Sequence, residues 1–399
     1  RIKMPQVGLN IRLIIGVVIS ICCVFGVGIS PANAEPNYWP TDGWRISTLE
    51  KQGMNSEKII RMLEVVREKE YPVDSITVIR NGYLVLDAYF PPFKKEYKHK
   101  IYSCTKSITS ALMGIAIDKG YIKDVNQYVL DYFPNKKIDN IDDRKRSIQI
   151  KHLLTMSSGI KTEDNATSKV KWGNLINMMH SNDWVEYGLS LPMEQMPGEK
   201  NEYSNIVSFL LTAIIHKSTN RDVLEFAQEN LFSPMGIKDT DVKWDSSPSG
   251  IAKGWGDMHL KPHDMAKFGW LFLNKGKWDN QQLIPEKWVN DSIQGHISAD
   301  SFWGTISSKY GYQWWVNPNR YYMAVGYAGQ YIIVVPEKKL VAVFTGSFSP
   351  EKQNPLTSIG LFERYISLSV QSDTPVPVNP ENKAKLEALL GEIAKANNL

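Results

Sequence analysis

Ser103-Cys104-Thr105-Lys106-Ser107-Ile108-Thr109-Ser110-Ala111-Leu112-Met113-Gly114-Ile115-Ala116 is the stretch on which the reading of this chain turns. Ile108, Ala111, Leu112, Ile115 and Ala116 recur at helical spacing and make one apolar stripe, which Gly120 ends. A helix is therefore expected to start at Ser103. Residues i and i+3 lie on one helix face, so the Lys106 amine is placed within reach of the Ser103 hydroxyl, and the positive end of the helix favours negative charge on that oxygen. A serine needs such a base to become a nucleophile. The plain alternative is that Ser103 is an N-cap and Lys106 a solvated first-turn residue. The chain holds four S-x-x-K spacings, but Ser158 to Lys161 runs through Gly159, Ser168 to Lys171 has no apolar face, and Ser349 to Lys352 contains Pro350.

Upstream, Ser75 to Phe90 carries two β-rich runs around Asn81-Gly82, a strong hairpin signal. Downstream, residues 150 to 290 read mostly as helices, including Val207 to His216, Val223 to Leu231 and Met265 to Leu273. Strands return at Tyr310 to Val316, Tyr331 to Val335 and Leu340 to Thr345. The order strands, helices, strands predicts an α/β (α+β) fold whose antiparallel sheet is built from both chain ends, flanked by helices, with a mostly helical lobe inserted. The expected α/β lobe covers about 35–120 and 290–370, and the helical lobe about 121–289. Residues 371–399 read as a Pro-rich linker and a short helix, Lys383 to Ala394, with no chemistry assigned.

At the N-terminus, Arg1, Lys3 and Arg12 precede an apolar run of about 17 residues, Leu13 to Ile29, and then Ala32-Asn33-Ala34. Residues 1–34 are expected to be an export signal cleaved near Ala34, placing the mature chain in the periplasm or medium with no stable membrane span. Cleavage would remove three basic residues from a chain of net charge +4, which implies neither a nucleic-acid nor a membrane-surface partner. It would also remove Cys22 and Cys23 and leave Cys104 alone, so no internal disulfide is expected. The seven histidines offer no helix pair with an acidic third ligand; His259 and His263 flank Pro262, and neither metal nor organic cofactor is expected.

Several ordered stretches beyond Ser103 to Lys106 carry a resemblance. They are Ile150-Lys151-His152-Leu153-Leu154-Thr155-Met156-Ser157-Ser158-Gly159, Met196-Pro197-Gly198-Glu199-Lys200-Asn201-Glu202-Tyr203-Ser204-Asn205 and Asp264-Met265-Ala266-Lys267-Phe268-Gly269. Over about residues 70 to 350 the chain resembles the serine β-lactamase and penicillin-binding-protein superfamily, in its class C-like branch of β-lactamase-type carboxylesterases and 6-aminohexanoate-dimer hydrolases. The resemblance implies a β-lactamase-like fold in which Ser103 forms an acyl-enzyme and Lys106, held neutral, takes or relays the serine proton. Tyr203, in a Y-x-N motif, would share acid and base work, and Asn205 would hydrogen-bond Lys106 and substrate.

The third landmark of that superfamily departs. Where β-lactamases have K-T-G, this chain has Tyr327-Ala328-Gly329. The resemblance assigns Gly329 a close backbone approach and the Gln330 amide, with the Ser103 amide, the oxyanion hole, roles that need only backbone. Neither Tyr327 nor Ala328 supplies the positive charge that would meet a substrate carboxylate. The expected substrate is a small-molecule ester or amide that is uncharged or carries its charge elsewhere. The alternatives are a β-lactamase or D-alanyl-D-alanine carboxypeptidase of cell-wall metabolism, and a catalytically silent recognition module. The oligomeric state is not legible. Of the 12 tryptophans, Trp172 lies where a loop could cover the cleft, but core filling is the simpler role and it is left out of the expected site.

Overall fold

Asn81 and Gly82 both take positive φ, 52° and 80°, the conformation a two-residue hairpin turn demands, and they join the two strands that found the sheet. In the computed structural model, which describes residues 36–299, 307–349, 352–354 and 356–395, these strands are β2 (Val73–Arg80) and β3 (Tyr83–Tyr89), preceded by β1 (Arg45–Ile46). The C-terminal half adds β4 (Ile297–Ser298), β5 (Lys309–Tyr310), β6 (Trp315–Asn317), β7 (Tyr321–Gly326), β8 (Gln330–Val335) and β9 (Leu340–Gly346). Among the described residues they form one nine-stranded sheet in the order β1-β3-β2-β9-β8-β7-β6-β5-β4. All neighbours are antiparallel except β1 and β3. The two chain ends meet where β9 pairs with β2. The export-signal reading of residues 1–34 lies outside the described residues. No helix of the described residues is long and apolar enough to cross a membrane.

Helix α1 (Ser56–Glu68) packs against the C-terminal helical segments Phe362–Ile366 and Ser367–Ser369, α2 (Thr105–Asp118) and α3 (Asn205–Thr219) pack against each other, and α4 (Pro262–Leu273) lies across β8, β9 and β2. Gly269 makes the last contact possible, because a Cβ there would sit 2.7 Å from Val341 and 3.0 Å from Ile332. The expected stripe on α2 understates its burial: every residue from Thr105 to Ala116 is buried. Its hydroxyls explain how. Ser107 Oγ donates to Gln313 O at 2.7 Å and Thr109 Oγ1 to Gly254 O at 2.9 Å, so these two hydroxyls have partners inside the protein, whereas the buried Ser110 hydroxyl has none among the described residues.

Gln313 also corrects the expected single strand Tyr310 to Val316. The run breaks into β5 and β6, because Gln313 turns inward at φ 63°. Its Nε2 donates to Leu153 O and Leu154 O at 3.0 and 2.9 Å, and its Oε1 accepts from Ser208 Oγ at 2.7 Å. One glutamine thus ties α2, α3 and the Ile150–Leu154 helix together. At the C-terminus, helix α5 (Pro380–Lys395) docks on α1 and β3 through buried Leu389 and Ile393. Arg67–Glu392 and Lys385–Glu64 flank that contact at 2.8 Å, so the tail is part of the folded body.

Candidate active site

Tyr102, immediately before the candidate nucleophile, is held at φ 45°, a left-handed conformation that costs a non-glycine residue about 1 kcal/mol or more. Thr105 Oγ1 donates to its carbonyl at 2.6 Å, and its ring meets that of Tyr327 edge-on at 5.5 Å. This turn delivers Ser103 to the start of α2, where a 3₁₀ turn, Tyr102–Cys104, runs into the helix. Ser103 therefore stands two residues ahead of the α-helical run, at its positive end.

One helical turn on, Lys106 is buried. Its Nζ lies 3.0 Å from Ser103 Oγ, 2.8 Å from Asn205 Oδ1 and 2.9 Å from Trp255 O. The amide and peptide oxygens can only accept. A neutral amine has two N–H groups to give them, which leaves its lone pair facing the serine hydroxyl. Burial pushes Lys106 down to about 7, against the opposing pull of the Asp164 carboxylate. That shift from 10.5 amounts to about 5 kcal/mol of preference for the neutral form.

Tyr203 and Asn205 reach the same spot because two of the landmark stretches lie side by side. Gly198 N–H donates to Ser157 O and Glu202 N–H to Met156 O, both at 2.7 Å, and Asn201 Nδ2 donates to Thr155 O at 3.1 Å. Ser204 then caps α3, accepting from Val207 N–H at 3.1 Å. The Tyr203 ring stacks on Trp315 at 5.6 Å, and Lys106 Nζ sits 4.7 Å from its centroid. Burial drives the Tyr203 hydroxyl well above its ordinary pKa, while its hydrogen bond with Ser103 pulls the other way.

Asp164 was not anticipated. Its carboxylate is buried at the N-terminus of α3, where Oδ2 accepts from Ile206 N–H at 2.6 Å and from Ser204 Oγ at 3.2 Å. Its carbonyl accepts from Asn205 Nδ2 at 2.9 Å, which turns the Asn205 oxygen toward Lys106. Oδ1 has no partner among the described residues, and burial raises the group to about 6. Next to it, Asn165 Nδ2 donates to Tyr203 O at 2.7 Å. The only sequence signal was an acidic residue a few positions beyond Ser157-Ser158-Gly159. The Trp255 carbonyl, as backbone, carried none.

A cleft of about 630 Å³, open mouth included, lies in front of these groups. Ser103, Tyr203, Asn205 and Tyr327 line it with Asn165, Trp172, Trp315, Val325, Tyr331 and Leu356. No charged side chain is among its described lining residues. Trp172, set aside in the sequence reading, is part of the wall and meets Tyr327 edge-on at 5.5 Å. Gly329 and Gln330 sit at the β7–β8 turn, outside the lining set. Gly329 needs its missing side chain at φ 95°, where a Cβ would meet the Phe348 ring at 2.6 Å. The Gln330 side chain is used within the fold, donating to Tyr327 O at 3.2 Å and Gly346 O at 2.6 Å. Among the described residues no group of histidines, cysteines and carboxylates could hold a metal ion.

A mixed α/β body with a serine, a buried lysine, a tyrosine and an asparagine gathered at the head of its central helix defines the class of β-lactamase-like proteins. The chain belongs to the Beta-lactamase family, whose model matches residues 47–357. It is 25% identical over 233 residues to Beta-lactamase-like protein 2 of Dictyostelium discoideum, a match covering 52% of this chain and 41% of that one, so it spans less than half of that relative's length. The fold is similar to a putative 6-aminohexanoate-dimer hydrolase from Bacillus anthracis, with a TM-score of 0.63, 17% identity, and 85% and 89% of the two chains covered. It is also similar to a family VIII carboxylesterase, with a TM-score of 0.59, 14% identity, and 87% and 98% covered.

Proposed function

We propose that the protein is a serine hydrolase that cleaves an uncharged ester or amide through an acyl-enzyme on Ser103. The observation that carries this reading is the lysine at 3.0 Å from the serine oxygen with both other acceptors already occupying its N–H groups. Lys106 takes the hydroxyl proton as Oγ attacks the carbonyl carbon. The charge that develops on the carbonyl oxygen is met by the backbone N–H groups of Ser103 and Gln330. Tyr203, kept protonated by burial, passes its proton to the leaving alcohol or amine and regains one from the Lys106 ammonium, so that the neutral amine is restored and can take a proton from the water that releases the acid. The uncharged, largely aromatic lining of the cleft supports an apolar acyl or leaving group and disfavours an anionic one. This separates the reading from β-lactam hydrolysis and D-alanyl-D-alanine cleavage, where a substrate carboxylate must be held.

Reaction of the protein with a fluorophosphonate, followed by peptide mapping beside the Ser103→Ala variant, tests it. A single adduct on Ser103, with ester turnover that the variant loses, is expected. A folded protein that takes no adduct would instead be a recognition module. The apolar run and small-residue pattern before Glu35 support export of the mature chain, which N-terminal sequencing of secreted material would check.

A further inference from the structure

Away from the cleft, Asp74, His99 and Ser347 form a second cluster of chemistry-bearing side chains. Asp74 Oδ2 accepts from His99 Nε2 at 2.6 Å and from Ser347 Oγ at 2.7 Å. This is not a relay. Both donors address one carboxylate oxygen, whereas a relay would place the histidine between serine and carboxylate. What the cluster does is join two segments that arrive from opposite ends of the chain.

A bulge makes the junction. Thr345 pairs with Ser75, but Gly346 pairs with Val73, so Asp74 has no opposite residue on β9 and its side chain is re-aimed. One of its two partners, His99, lies four residues ahead of Ser103 on a short strand, His99–Lys100, and Ile101 N–H continues that strand by donating to Met258 O at 2.9 Å. The other, Ser347, lies between the two residues that support the β7–β8 turn. Gly346 exchanges hydrogen bonds with the Gln330 side chain at 2.6 and 3.3 Å. Phe348 N–H donates to Ala328 O at 3.1 Å, and its ring fills the space under Gly329.

We infer that Asp74 is a positioning residue that fixes the distance between the Ser103 and Gln330 amides by holding the strand before one and the support behind the other. The inference rests on the proposed serine mechanism, in which those amides bind the oxyanion. Misplacing one donor of such a pair by about 1 Å costs on the order of tenfold to a hundredfold in rate, because the donors act on charge that exists only in the transition state.

The test compares Asp74→Ala, Asp74→Asn, Ser347→Ala and Ser103→Ala by hydrolysis of p-nitrophenyl butyrate, by the rate of Ser103 labelling with a fluorophosphonate, and by thermal unfolding. Asp74→Ala is expected to lower kcat and the labelling rate at least tenfold with KM within twofold. Asp74→Asn keeps an oxygen that can accept both hydrogen bonds, so it should restore most of the rate. Ser347→Ala, which removes a single hydroxyl and leaves the fold intact, should lower kcat about threefold. A folded Asp74→Ala with unchanged kcat and labelling, or a Ser347→Ala with unchanged kcat where Asp74→Ala does not fold, overturns the inference. So does equal loss in Asp74→Asn and Asp74→Ala. If Ser103→Ala keeps turnover, the mechanism itself fails; if it is dead while the Asp74 variants are fully active, only the positioning role fails.

Discussion

The floor and the wall of the cleft are built on opposite plans. The floor, part-buried Ser103 with buried Lys106, Asn205 and Asp164, is polar and joined by directional bonds of 2.8 to 3.0 Å. The wall, Trp172, Tyr327, Trp315 and Tyr331, is made of flat rings in edge and stacked contact. A buried polar group without its partner costs about 1–3 kcal/mol, so the floor tolerates little change, whereas aromatic surfaces exchange at modest cost. In the proposed mechanism the floor decides which reaction runs, and the wall decides which molecules reach it.

The sharpest way to break this contrast is on the floor. Lys106→Met should lower kcat about a thousandfold with little change in KM, measured by steady-state ester hydrolysis; a loss under tenfold would remove the lysine from its role as base. Asn205→Ala strips Lys106 of one acceptor and should cost on the order of a hundredfold, read in the same assay. The pH profile separates the charges. With Lys106 depressed to about 7, kcat/KM of the free enzyme should rise through about pH 7 as the amine loses its proton, then level off while Tyr203 stays protonated. In Asp164→Asn the negative charge that favours the ammonium is gone, so this rise should move to lower pH with a loss of only about threefold at its plateau. The linkage has a definite sign as well. Folding raises Asp164 from 3.8 to about 6, so the native state holds the extra proton between those values and this group lowers stability as pH climbs through them; denaturant midpoints of the variant should lack that slope. The wall should touch kcat least: Trp172→Ala should raise KM about tenfold for bulky acyl esters and leave kcat for acetate esters within about twofold.

Much of both regions was legible before any coordinates. The Asn81-Gly82 hairpin, the α2 helix and the two returning strands at Tyr331 and Leu340 follow from local patterns that tertiary packing did not override. Ser103, Lys106, Tyr203 and Asn205 do converge, and Tyr327 stands on the wall. What was missed depends on long-range partners. Gln313 breaks a β-rich run because three separate helices use its groups, which no window of seven residues can reveal. Asp164 looks like any loop acid until the helix start it caps, whose Asn205 lies 41 residues further along the chain, is brought to it. Trp172 reads as core filler until the turn at Tyr327 comes against it. The tail reads as an appendage because its apolar positions, Leu389 and Ile393, find their partners on α1 and β3 near the other end of the sequence.

Helix α2 carries a last consequence. Its first twelve residues have no solvent face, and Gly114 lies so close to Trp288 that a Cβ would sit 2.4 Å from the indole. No partial opening of the body can expose those amides without dismantling the packing around them, so their hydrogen–deuterium exchange should proceed only through global unfolding. The serine stands at the head of an element that should be among the slowest to exchange. Heat should therefore abolish activity at the melting transition and not before it.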